Sequence, residues 1–367
     1  MLTKYDDYPV HQTSDPIAYA GTDRNYYDRY WFNGYSRDGS VFFSAAFGVY
    51  PNLNIMDGTF SVVSDGVQHN VRVSRHMNME RMHTVVGPLE VEVVEPLKQL
   101  RVRLNDNEFG ITADVLFSGR APVVEEPRFT KRQGPRTVFD YTRLTQNGDY
   151  TGWIDIKGKR TDFEGKNVRG TRDRSWGVRY NVGLPDPQEV PPVKDLQAFW
   201  LWAPLNFDDT WVHFHDSQES DGTSWNVGGL VGGLGDDTQP EHMKKLEWDI
   251  VMRDDIRHLK SATAYMTDAD GGITKVEFDL KWKFYMSGLG YQHPDYGHGF
   301  NKGPLAINYD TILTADIDSS LPPLYSHIQQ FSEVTMTRPN GEVSKGCGVL
   351  EQAFFGDHEP TGLKGLF

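Results

Sequence analysis

The stretch Asp28-Arg29-Tyr30-Trp31-Phe32-Asn33-Gly34-Tyr35, followed by Ser36-Arg37-Asp38-Gly39 and by Val41–Val49, reads as strand, turn and returning strand. Asp-Gly tolerates positive φ and so suits a hairpin turn. Side chains alternate along a strand, so Tyr30, Phe32 and Gly34 share one face and Trp31, Asn33 and Tyr35 the other. Both faces carry aromatic rings. A sheet buried on both sides, or one lining a ligand cavity, has this pattern.

The same signals continue on either side. Met56–Val63, Asp65-Gly66 and Gln68–Arg75 form a second hairpin pattern. Leu89–Val94, Leu97–Leu104 and Gly110–Gly119 alternate apolar and polar residues, the mark of half-buried strands. Pairing the first two would set Glu90 and Glu92 against Arg101 and Arg103 on the wet face. Phe139–Leu144, Asn147-Gly148 and Tyr150–Ile156 read as another hairpin with an Asn-Gly turn. Leu184–Pro192, with prolines at 185, 187, 191 and 192, is the linker candidate. Beyond it Gln197–Phe207, Asp208-Asp209 and Thr210–Gln218 repeat the aromatic strand, acidic turn and aromatic strand of the first half. Later strand candidates are Leu246–Met252, Ser261–Met266, Ile273–Phe284, Tyr309–Asp316 and Phe331–Thr337, and short helices are allowed only near Glu241–Lys245 and Pro323–Gln330. The expectation is an all-β chain of two β-barrel or curved-sheet halves, residues 1–190 and 191–367, sharing a central cavity.

Composition narrows the function. The 36 Gly and 20 Pro among 367 residues leave little room for long helices. A formal charge of −14 argues against nucleic acid, whose binding depends on neutralising phosphates. The single cysteine, Cys347, allows neither an internal disulfide nor a cysteine-based zinc site. The first eight residues are polar, and no apolar run is long enough to span a membrane, so the default expectation is cytoplasmic.

Near the middle, Arg172-Asp173-Arg174-Ser175-Trp176-Gly177 concentrates charge and an indole between strand-rich halves. Together with Tyr30-Trp31-Phe32-Asn33-Gly34-Tyr35, Tyr50-Pro51-Asn52 and Gly348-Val349-Leu350-Glu351, it resembles the tandem lipocalin-like (calycin) proteins. That group includes carotenoid 1,2-hydratase-like, kievitone-hydratase-like and fungal Diels–Alderase-type proteins. The resemblance runs from about Asp28 to Glu351. It implies two calycin halves, apolar and often isoprenoid or polycyclic substrates, and no metal or organic cofactor. The family pattern often has His where this chain has Arg174, so a His-based proton transfer does not carry over to that position.

Several constellations could carry chemistry. Asp173 between arginines has its charged form favoured, while burial opposes ionisation and would make it a proton donor to an alkene or enone. Its bland reading is an ion pair with Arg172, Arg174 or Arg179. Trp211, His213 and His215 share a strand face, and with Glu219 they give a His-x-His-x-x-x-Glu spacing like that of metal-binding cupins. The flanking cupin glycines are missing, since Phe207 and Asn226 stand there, so a metal-free pair of pocket histidines or a solvated strand face is the preferred reading, and either histidine could serve as a general acid or base. Among the first-half aromatics Tyr30, Asn33 and Tyr50 would orient a ligand, and Asp57 would orient water. Arg172 and Arg174 would hold an oxygen substituent, while Trp176, Trp200, Trp202 and Trp211 would shape the apolar wall. The loop Tyr291–Gly299 reads as a surface or lid loop near a barrel mouth.

The function these features imply is side-chain acid–base catalysis on a hydrophobic small molecule: hydration or dehydration, isomerisation or cyclisation. The alternative is a lipocalin-like carrier without turnover.

Overall fold

A computed structural model describes residues 4–10, 18–183, 197–235, 237–315 and 325–366. The linker candidate Leu184–Pro192 lies outside the described residues. Two compact units result: Met1–Val193 with Gly288–Ile312, and Lys194–Ser287 with Leu313–Phe367. Residues 288–312, which follow the proline-rich stretch in sequence, therefore pack with the first unit.

Unit 1 contains β1 (Tyr26–Tyr35), β2 (Phe42–Tyr50), β3 (Ile55–Ser64), β4 (Val67–His76), β5 (Val85–Val86), β6 (Leu89–Glu95), β7 (Gln99–Leu104), β8 (Ile111–Gly119), β9 (Val124–Glu125), β10 (Phe129–Gln133), β11 (Arg136–Ile156), β12 (Lys159–Asp162) and β13 (Arg169–Arg179). Unit 2 contains β14 (Ala198–Asn206), β15 (Thr210–Gln218), β16 (Ser224–Gly233), β17 (Glu241–His242), β18 (Lys245–Met252), β19 (Leu259–Thr267) and β20 (Ile273–Tyr285). The chain then gives β21 (Leu305–Leu313) to the sheet of unit 1 and ends with β22 (His327–Thr337) and β23 (Val343–Phe355) in unit 2. The short helix expected at Glu241–Lys245 is β17 and the start of β18. The described part of Pro323–Gln330 runs into β22 instead of a helix.

Strand order in unit 1 runs β21-β4-β3-β2-β1-β13-β11-β8-β7-β6-β5, and in unit 2 β17-β16-β15-β14-β23-β22-β20-β19-β18. Without β21 and β5 at its ends, the first order matches the second strand for strand. The aromatic repeat seen in sequence is thus a repeat of topology: in each unit the last strand returns to pair with the first. Each sheet also curls until its ends approach, β5 and β6 against β3 and β4 in unit 1, β18 against β16 in unit 2. Arg75 Nε, for example, donates to the Val85 carbonyl at 2.8 Å across that junction.

Alternation fills each curl. In unit 1 Tyr30, Phe32, Phe43, Phe47, Met56, Phe60, Val71 and Val73 point inward, joined by Leu89, Val102, Val115 and Phe117. In unit 2 Leu201, Ala203, Leu205, Val212, Phe214, Ala264 and Leu350 do the same. All but the first residue of β1 and every residue of β2 are buried, so the outer face is covered as well. Glu90 and Glu92 pair with Arg103 and Arg101, and Arg103 reaches both glutamates at 3.2 and 2.8 Å.

One turn reading is overturned. Asn147-Gly148 is not a hairpin turn but the middle of the 21-residue β11. Gly148 lies in register with Gly170 and Gly119, and Gly170 with Gly34, a row of glycines across four strands. A Cβ on Gly148 would sit 2.3 Å from the Phe117 ring, and one on Gly170 would sit 1.9 Å from the Asn33 carbonyl oxygen. The glycine is needed for close approach at a tight bend, not for positive φ. Gly170→Ala is therefore expected to force β1 and β13 apart and to lower stability by about 1–3 kcal/mol or more. The midpoint of urea unfolding measures this, and an unchanged midpoint would show that the row tolerates a methyl group.

Candidate active site

The odd-numbered residues of β1 and β13 face away from the unit 1 core. Register places Arg29 beside Ser175, Trp31 beside Asp173 and Asn33 beside Thr171. On the other flank of β13, Arg143, Thr145 and Asn147 of β11 stand beside Ser175, Asp173 and Thr171. The result is a polar face across the middle of the sheet, with Asp173 between an indole and a hydroxyl. Asn33 Oδ1 accepts the Thr171 N–H at 2.9 Å, so its role here is to hold β1 to β13.

Three polar groups beside Asp173 are committed to one another. The buried Glu126 accepts from Arg143 at 2.9 and 2.5 Å and from the Thr145 hydroxyl. Asp173 itself forms no hydrogen bond or ion pair with any described residue. It is half-buried, so one side remains open while protein encloses the rest. Burial pushes its carboxyl up to about 7, with the Glu126 charge adding to the rise and Arg143, Arg29 and Arg179 opposing it. A carboxyl with that value is half protonated near neutral pH and can both give and take a proton.

The flanking arginines point the other way. Arg172 is ion-paired with Asp7, and its Nε donates to Gln146 Oε1 at 2.9 Å. Arg174 is ion-paired with Asp28 and lies 4.0 Å over the Tyr30 ring. Both guanidinium groups are fully buried on the core face with Tyr30, whose hydroxyl donates to the Asp7 carbonyl. Strand alternation is the reason: neighbours at i±1 cannot share a face with Asp173. Arg172, Arg174 and Tyr30, expected to hold substrate, are thus engaged in buried contacts on the core face, and of Arg172, Arg174 and Arg179, the ion-pair partners expected for Asp173, the first two pair with Asp7 and Asp28 instead. Trp176 shares the parity of Arg174 and is half-buried opposite Asp28.

Asp57 and Tyr50 occupy a separate corner of the outer face. Asp57 accepts the Tyr50 hydroxyl at 3.0 Å and the Gly299 N–H at 2.6 Å. Burial raises its carboxyl to about 6, against the Gly299 N–H, Arg29 and Tyr50, which lower it. Arg29 donates to the Leu289 carbonyl at 3.1 Å and approaches His298 Nδ1 at 3.5 Å. The Tyr291–Gly299 loop is thereby strapped onto unit 1, and His298 is buried. The space enclosed by Asp57, Arg29, Arg72 and His298 is about 10 Å³, room for about one water molecule. Asp57 lies three strands from Asp173, about 14 Å at the usual strand spacing.

Unit 2 carries its own polar and aromatic face. His213 and His215 are buried with ring centres 5.9 Å apart, and His215 Nε2 is 2.7 Å from Asn226 Oδ1. Trp202 meets His213 edge-on at 5.6 Å and Trp200 lies 5.9 Å from His215. Trp211 donates to the Gly233 carbonyl at 2.9 Å. Glu219 lies beyond the end of β15, and no His213–His215–Glu219 grouping forms among the described residues. The third residue of the cupin spacing is therefore not brought to the two histidines.

Glu351, unassigned from sequence, is the structural counterpart of Asp173. In unit 1 the returning strand sets Asp173 opposite Trp31, and in unit 2 it sets Glu351 opposite Trp202. Their environments differ. Burial alone would raise Glu351, but hydrogen bonds from His327 at 2.8 Å, Gln329 at 2.7 Å and Trp200 at 3.0 Å hold it below the usual carboxylate range. Equivalent positions thus carry a hydrogen-bonded anion in one unit and, in the other, a carboxyl of raised proton affinity with no hydrogen-bond partner among the described residues. Glu126 and Arg29, which set the field at Asp173, had no local signal: one is on a loop and the other inside an aromatic run.

Two curled antiparallel sheets of one strand order, each around its own apolar core, make this a tandem lipocalin-like protein. The chain belongs to the family of unknown function DUF8625, whose profile matches residues 2–364. No curated protein matches the sequence. Among solved structures it is similar to a protein of Nitrosomonas europaea provisionally named AttH, at 12% identity and TM-score 0.52, covering 91% of this chain and 94% of that one. It is also similar to kievitone hydratase from Nectria haematococca, at 9% identity and TM-score 0.47, covering 89% and 88%. A third likeness is to CghA solved with Sch210972, at 11% identity and TM-score 0.43, covering 91% and 90%. At such identities the likeness concerns the fold alone. Among the described residues no helix is long and apolar enough to cross a membrane.

Proposed function

We propose that this protein is an acid–base enzyme of the hydratase, isomerase or cyclase type, acting on an apolar small molecule, with Asp173 as its proton donor. The observation that carries the reading is the Asp173 carboxyl, half-open and without a partner among the described residues, beside Glu126, Arg143 and Thr145, which are paired with one another. A structural carboxylate at this position would resemble Glu351, with its three donors.

The chemistry is short. The Asp173 O–H adds its proton to one carbon of a double bond, and the neighbouring carbon becomes electron-deficient. Either water adds there and loses a proton to the Asp173 carboxylate, or an adjacent C–H gives its proton back. The first outcome is hydration and the second isomerisation, and both regenerate the acid. The Trp31 indole, on the adjoining strand, offers a π face suited to a transient cation. His213 and His215 are the second candidates for proton transfer, on the face of unit 2.

The test is deuterium exchange. The protein is incubated in D₂O with a panel of polyprenoid alkenes and polycyclic enones, and carbon-bound deuterium is read by mass spectrometry. Wild type is expected to label at least one member; binding without labelling across the panel would favour a carrier. A pH profile adds a second check. The Glu126 charge raises Asp173, and its loss also leaves Arg143 free to lower it. Glu126→Gln should therefore move the alkaline limb of the rate profile to lower pH, and a limb that stays in place would remove Glu126 from the mechanism.

A further inference from the structure

At the end of the unit 1 barrel formed by the β6–β7 turn, a carboxylate is held by groups far apart in sequence. Asp7, in the 3-10 turn Lys4–Asp7, is fully buried. Its Oδ1 takes Nη1 of Arg172, and its Oδ2 takes Nη2 of Arg172 at 3.4 Å together with the Leu97 N–H. The Tyr30 hydroxyl donates to the Asp7 carbonyl. The receiving groups are fixed without help from Asp7. Gln146 accepts Nε of Arg172 at 2.9 Å through its oxygen and donates through its nitrogen to the Leu97 and Ala121 carbonyls, each at 3.0 Å. Leu97 has a φ of 64°, a left-handed conformation uncommon for a branched side chain, and its N–H is the one that meets the carboxylate.

We propose that this end of the barrel is a carboxylate-binding site which Asp7 of the N-terminal arm fills in cis. A guanidinium fork with an added backbone N–H is the donor set that recognises a carboxylate with two oxygens engaged. Among the described residues of the arm, the 3-10 turn Lys4–Asp7 is too short to hold its own shape, and the contacts of Asp7 help to dock it. The site takes a small carboxylate whenever Asp7 is absent, because Arg172 is buried and needs a counter-charge. This site lies on the core face, opposite to Asp173, and does not depend on the proposed catalysis.

Chemical rescue tests the proposal in the full-length chain. Asp7→Gly opens a carboxylate-sized space before Arg172. Its Tm should fall below wild type and rise by about 2–4 °C when tens of millimolar sodium acetate replace sodium chloride at constant ionic strength. Wild type and Asp7→Gly/Arg172→Met should not respond. If Asp7→Gly is unfolded without additive, acetate should restore its folded fraction where chloride does not. An equal acetate response in all three proteins, or no response in Asp7→Gly in either form of the measurement, would overturn the proposal and leave Asp7–Arg172 as a structural ion pair only.

Discussion

Asp173→Asn should lose activity by a factor of about 10²–10⁴ while gaining stability at neutral and higher pH. The loss follows because an amide keeps the shape but cannot deliver a proton to carbon. The gain follows from linkage. Asp173 sits at about 7 in the folded protein, against 3.8 as its ordinary value. The folded state therefore binds this proton more tightly than the unfolded chain. Its contribution to stability is full below pH 4 and falls as pH rises through the interval from 4 to 7. Above pH 7 the ionised carboxylate is a liability, which the asparagine lacks. A tenfold difference in proton affinity between the two states is worth about 1.4 kcal/mol. Because part of the side chain is open to water, a gain of roughly 1–3 kcal/mol at pH 8 is expected, shrinking towards pH 4. Thermal melts of both proteins from pH 4 to 8 measure it. A variant less stable than wild type at pH 8 would show that Asp173 is a structural ion-pair member, and the proposed proton donor would have to be sought elsewhere. The wild-type rate should also decline above about pH 7, where the donor is deprotonated.

Arg174→Met should be the most damaging single change in unit 1, costing about 3–5 kcal/mol. Arg174 and Asp28 are both fully buried and ion-paired. The thioether fills space comparable to the lost stem, so the penalty comes from charge and not from a cavity. Arg81 also faces Asp28, but at 3.6 Å it is too far to replace the lost pair. The Tyr30 ring also loses the guanidinium stacked at 4.0 Å. Guanidinium chloride unfolding should show a lower midpoint with an unchanged slope, since the surface exposed on unfolding is the same. A cost below about 1 kcal/mol would mean that the barrel interior admits water to Asp28. The contrast with Asp173→Asn is the informative part. Neighbouring residues on one strand are expected to respond in opposite directions, because alternation sends one into the core and the other to the outer face.

The sequence determined more of the fold than of the site. Period-two patterning, Asp-Gly turns and the repeated aromatic hairpin specify a two-part all-β chain, since each is a local consequence of backbone geometry. Glu90 and Glu92 opposite Arg103 and Arg101 followed from register alone. The same local logic failed at Asn147-Gly148, where glycine serves a packing contact between strands distant in sequence. At the site, the sequence offered Arg172, Arg174 or Arg179 as partners of Asp173, and of these only Arg179 contributes to its field. Asp173 is flanked in sequence by Arg172 and Arg174, yet they belong to Asp7 and Asp28 on the opposite face. The residues that set its proton affinity, Glu126, Arg143, Arg29 and Arg179, come from a loop and three strand segments. Proton affinity depends on burial and on charges nearby in space, and only tertiary packing decides either. The chain itself specified which residue would carry an acid at the centre of the sheet. The fold decided that this acid would have no partner among the described residues and a raised proton affinity, while its counterpart Glu351 is hydrogen-bonded as an anion.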